Sequence, residues 1–249
     1  MITRRLLTMG AGAAALAAAA APSWSLAQAA TSDEDARLLA FLDAAFQAQA
    51  QLSPETLTQL GGKARYGELD DYTPEADARS LALSESQLAR MKAEFDPARL
   101  SPASRVSYNL FEDTVRRARD RDRWSRHGFM VSSGGAITGG IPVFLINNHR
   151  VAEVSDAEAY VSRLNAVERV MNESATELEA RAAAGLTPPH FVFEPAINDA
   201  REVLNGAPFG MGEDSPVWAD FKTKVGALEA ADEVKARLLR EGEAALTGP

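Results

Sequence analysis

Three histidines and no cysteine set the limits of metal or nucleophile chemistry in this 249-residue chain. The lack of thiols excludes disulfides, cysteine nucleophiles and thiolate zinc sites. A zinc-peptidase helix needs two histidines one turn apart, with a glutamate beside the first. The imidazoles then hold the ion while the carboxylate activates its water. Here His127, His149 and His190 are followed by Gly128, Arg150 and Phe191, so no His-Glu pair exists. His190 and Glu194 stand four apart, but Pro189 and Pro195 flank them and Phe191-Val192-Phe193 reads as extended chain. No Gly-x-Ser-x-Gly elbow marks a serine hydrolase. Paired carboxylates are plentiful but lie on faces that read as solvated. The sequence nominates no catalytic residue and no metal ligand.

What remains is binding chemistry. The run from Ser132 to Gly140 is glycine-rich but lacks the Gly-Lys-Ser/Thr ending of a phosphate loop and the spacing of a dinucleotide fingerprint. Its plain reading is permissive backbone in a loop or edge strand. Its functional reading is that Gly134 and Gly135 let an extended peptide pair with the backbone as an added strand. Asn147-Asn148-His149-Arg150 gathers polar groups on an expected loop, which makes Asn148 and His149 candidates to face the same peptide. His127, beside Arg126 and Trp124, reads as an element boundary.

These residues need a scaffold, and helical signals supply most of it. Ser32 to Asp35 caps a helix carrying Leu38, Leu42, Ala45 and Phe46. Ser53-Pro54-Glu55, Thr73-Pro74-Glu75 and Ser101-Pro102 open three more. Between Trp124 and Val154 the glycines, Pro142 and the apolar runs Phe129–Val131 and Val143–Ile146 predict one or two short strands. A capping box at Ser155-Asp156-Ala157-Glu158 then starts a long helix, which Gly185 and Pro188-Pro189 end. Shorter helices are expected at 196–204, 217–228 and 232–246. The fold class is mainly α: a multi-helix array with a short strand or hairpin insertion around 128–148.

At 46% apolar and 24% charged, the composition is that of a globular chain, and a net charge of −9 excludes nucleic acid as a partner. Residues 1–29 read as an export signal. Arg4-Arg5 form a twin-arginine pair, Ala11 to Ala21 a mildly apolar core, and Ala27-Gln28-Ala29 a cleavage site. The core is too short and too weakly apolar to span a membrane. Cleavage after Ala29 removes two arginines, takes the net charge to −11 and delivers residues 30–249, most simply to the periplasm. An ordinary secretory signal is the alternative.

Ser133-Gly134-Gly135, Ile141 through His149 and Ser155 through Leu164 together resemble the domain of unknown function 885 family, as does Gly185-Leu186-Thr187-Pro188-Pro189. The resemblance implies a mainly helical, zincin-like protein more than twice as long, widely exported. Its zinc and a His-Glu-x-x-His helix would lie in the C-terminal half. This chain would then be the N-terminal helical part of a zinc-dependent peptidase-like hydrolase, truncated and inactive alone. Zinc would be expected only in a full-length relative, and the missing half and a peptide would be its partners. The competing expectation is a non-enzymatic periplasmic helical binding protein, complete at this length.

Overall fold

Proline marks the starts of four helices. In a computed structural model, which describes residues 33–132 and 135–248, α2 (Pro54–Gln59), α3 (Pro74–Glu94), α4 (Pro102–Asp122) and α8 (Pro216–Gly226) each carry proline in the first turn. Proline fits there because its missing N–H would have no helical acceptor and its φ is already helical. Before the first three, the side chains of Ser53, Thr73 and Ser101 accept from the amides of Thr56, Ala76 and Ser104, as the sequence predicts. The export segment expected at 1–29 lies outside the described residues, as does Gly134.

The long helix opens earlier than its sequence suggests. α6 (Val154–Ala183) is capped by Glu153, and the reciprocal partner is Asp156 rather than the expected Ser155–Glu158 pair. Asp156 accepts from the amides of Ala152 and Glu153 and pairs with Lys63 at 2.7 Å, three donors that a serine hydroxyl could not satisfy together. At the other end, Gly185 donates to Ala182 and Leu186 to Arg181, closing the helix with a Schellman pair at the predicted glycine.

The hairpin expected around 128–148 is overturned. Residues Ile137–Asn148 form α5, a helix with Pro142 inside it, and the extended pairing nearby is one isolated bridge between Ser132 and Gly135. A run apolar on nearly every side fits a buried strand or a buried helix equally, and packing decides. Here Ile141, Phe144 and Leu145 are buried among neighbouring helices. Mainly helical architecture stands; the strand insertion does not.

Two apolar clusters organise the described residues. One joins α1 (Asp33–Ala50), α3 and α4 through Leu38, Phe41, Met91, Phe95 and Tyr108. The larger one joins α5, α6, α8 and α9 (Asp232–Thr247) through Leu145, Tyr160, Leu164, Phe221 and Leu238. Helix α7 (Phe193–Val203) lies against α5 and has no buried residue of its own. Among the described residues no helix is long and apolar enough to cross a membrane.

Candidate functional site

Gly135 sits at φ 119°, a left-handed backbone that favours glycine. Its N–H donates to the Ser132 carbonyl at 3.1 Å and its carbonyl accepts from Ser132 at 3.2 Å. Both backbone groups are therefore consumed within its own turn, and this residue presents no open edge for an added strand. Asn148 is the half-buried last residue of α5.

His149 turns inward. It is 1% exposed, and each ring nitrogen has a partner: Nε2 lies 2.9 Å from the Asp156 backbone carbonyl, Nδ1 2.8 Å from Arg163 Nη1. A carbonyl only accepts and a guanidinium only donates, so the ring is the neutral Nε2–H tautomer. Burial pushes its pKa down to about 4, helped by the Arg163 and Lys224 charges, against the opposing pull of the Asp156 carbonyl. The ring offers no free nitrogen to a substrate. The expected substrate-facing role is replaced by a structural one.

Arg163 completes this knot. Its fully buried guanidinium donates to the Glu68 carbonyl at 2.9 Å and to Thr58 Oγ1 at 2.6 Å, and it lies between the rings of Tyr66 and Phe144. Tyr66 in turn donates from its hydroxyl to the Arg150 carbonyl and accepts from the Arg150 amide. Next to them, Tyr160 donates to Asp220, and Lys224 bridges Asp220 and the carbonyls of Leu145 and Ile146 that end α5. These groups tie the 54–72 segment, α5, α6 and α8 together.

The residues present do not fit the zinc that the resemblance implies. Among the described residues, no group of three His, Cys, Asp or Glu side chains could hold a metal ion. His127 is exposed on a 3-10 turn against Trp124, and His190 is exposed at the start of another. The structure does not gather the three histidines around one point.

The apolar hollow lies elsewhere, where no motif of the sequence marks it. A cavity of about 510 Å³ opens between α5, α6, α7, α8 and the last turns of α9. Ile141, Leu145, Leu164, Met171, Phe209 and Val217 give it apolar walls, with Thr138, Glu168 and Asn172 as its polar groups. Its size lies within the range of about 300–1,000 Å³ usual for small-ligand sites. Val143 on α5, Phe191 on the turn before α7, Ile197 on α7 and Leu204 just after it are exposed. A second hollow, near Arg65, Arg79 and Arg169, is polar, and each arginine already pairs with a carboxylate, Glu68, Asp71 or Glu173. The apolar cavity is the candidate binding site.

The described residues form a mainly helical domain with an apolar cleft and a locked histidine–arginine knot. Residues 54–248 match the family described as bacterial protein of unknown function (DUF885), and the chain belongs to that family. No curated protein matches it. Its fold is similar to that of a putative lipoprotein from Colwellia psychrerythraea, with a TM-score of 0.65 and 16% identity. That likeness covers 86% of this chain but 38% of the Colwellia chain, so this chain spans well under half of its relative's length.

Proposed function

We propose that this domain holds the substrate for an exported, zinc-dependent peptidase-like hydrolase whose metal is bound by residues other than those described here. The observation that carries this reading is the 510 Å³ apolar cavity, walled by five helices, in a chain whose buried histidine is fully committed to structure. Apolar side chains of a peptide would occupy the cavity, their burial contributing roughly 25 cal/mol per Å² removed from water. The 38% share of the Colwellia chain leaves room in a full-length relative for the hydrolytic centre. Export through Arg4-Arg5, cleavage after Ala29 and release to the periplasm belong to the same proposal.

The test is metal and turnover measured on one sample. After incubation with zinc and dialysis, the chain should retain far less than one zinc per molecule and cleave no member of a peptide library. One tightly held zinc per chain, or turnover abolished by a chelator, overturns the reading. A second reading, a non-enzymatic periplasmic binding protein, is favoured by the cavity being walled by this chain's own helices. It gains if the chain melts cooperatively without binding a dye for exposed apolar surface.

A further inference from the structure

The cavity has a chemical polarity beyond its apolar walls. Of the residues lining it, Glu168 alone is ionisable. Its neighbour Arg169 is committed to Glu173 and to the Asp70 carbonyl, and no ion pair engages Glu168 among the described residues. Arg201, on α7 beside the lining residue Ala200, donates to Asn198. The α5 backbone at the cavity is also one donor short. Thr138 and Pro142 both line the cavity, and they stand four apart within α5. Proline has no N–H, so the Thr138 carbonyl lacks the α-helical donor that residue 142 would normally bring. The lining thus offers one carboxylate, the neutral polar groups of Thr138 and Asn172, and no cation.

We infer that the cavity takes the amino-terminal end of an apolar peptide, with its first side chain among the α5 and α6 residues and its ammonium on the acceptors, Glu168 supplying the counter-charge. This rests on the peptide-holding reading above and names the end of the peptide that is recognised. A carboxyl-terminal end would set like charge against Glu168 with no lining cation to offset it. An internal segment would bring no charge for Glu168 to pair with. An ion pair at a wet rim is modest, so the expected discrimination is about five-fold.

The experiment is calorimetric titration of the full chain at pH 6.5 with Phe-Leu-Leu amide and its N-acetyl derivative. The free amine should bind about five-fold tighter. Glu168→Gln should reduce that preference below two-fold while leaving the acetylated peptide's affinity unchanged. Leu204→Trp, at an exposed wall position on the turn that ends α7, should weaken both peptides. Thermal melts establish that both variants are folded. Equal binding of the two peptides, or a preference that survives Glu168→Gln, overturns the inference and leaves the peptide-holding reading standing. Failure of both peptides to bind overturns both readings.

Discussion

His149 is held by one group that can only donate and one that can only accept, so protonating it would set an N–H against the Arg163 guanidinium. The energetic consequence follows from linkage. Between pH 6.5 and the folded value of about 4, the unfolded imidazole takes a proton that the folded one refuses. Stability from this group is therefore complete above pH 6.5 and is lost as pH falls towards 4. The loss is on the order of 3 kcal/mol, at about 1.4 kcal/mol per pKa unit. Burial pushes the Asp156 carboxyl up, but its Lys63 and amide donors together hold it below the usual range, which adds a separate loss at lower pH still. Urea unfolding at pH 7 and pH 4.5 should show His149→Gln less stable at pH 7 but with a shallower decline. An unchanged decline would show that the imidazole is not the titrating group. The residue itself was visible in the sequence; its role was not. The Glu68 and Thr58 acceptors of the Arg163 that holds it lie 95 and 105 residues away along the chain.

At the scale of elements, what could be read depended on how local the cause was. Ser53, Thr73 and Ser101 cap their helices through amides three residues on, so the pattern carries its own explanation. Val143 to Ile146 look alike as strand or helix until α6 and α8 are placed beside them. The same dependence governs Gly242, in the middle of α9 and unremarkable in the sequence. A Cβ there would lie 2.3 Å from Cε1 of Phe221, a ring with no exposed surface. α9 approaches α8 this closely because nothing projects from residue 242. Alanine in an unobstructed helix gains about 1 kcal/mol over glycine. Forcing a methyl group into a filled core costs about 1–3 kcal/mol. At so close an approach the upper end of that cost applies, so Gly242→Ala should lower stability by up to about 2 kcal/mol, read as a lower urea midpoint with an unchanged slope, and adding Phe221→Leu should recover part of it. A stabilised single variant would mean that the two helices separate freely.

Across the described residues, stability should be unevenly distributed, because the two clusters differ in depth. Sixteen buried residues join α5, α6, α8 and α9, whereas seven join α1, α3 and α4. The larger cluster is tied to the 54–72 segment partly through polar groups: Lys63 to Asp156, and Arg163 to Thr58 and Glu68. Local opening free energies follow buried apolar contact, so the shallower cluster should open first. α7 lies at the far end of this order, since it buries no residue and depends on the cavity wall for what cover it has. Native-state hydrogen exchange should show α7 amides exchanging fastest, then α1, α3 and α4, with α6, α8 and α9 protected up to the global unfolding free energy. The ordering separates two pictures of the cleft. If α7 is the least protected helix, the wall that carries Ala200 and Val203 can adjust to the occupant, and binding an apolar peptide should slow its exchange without slowing that of α4. Uniform protection across all the helices would instead mean a rigid cavity and a single cooperative unit.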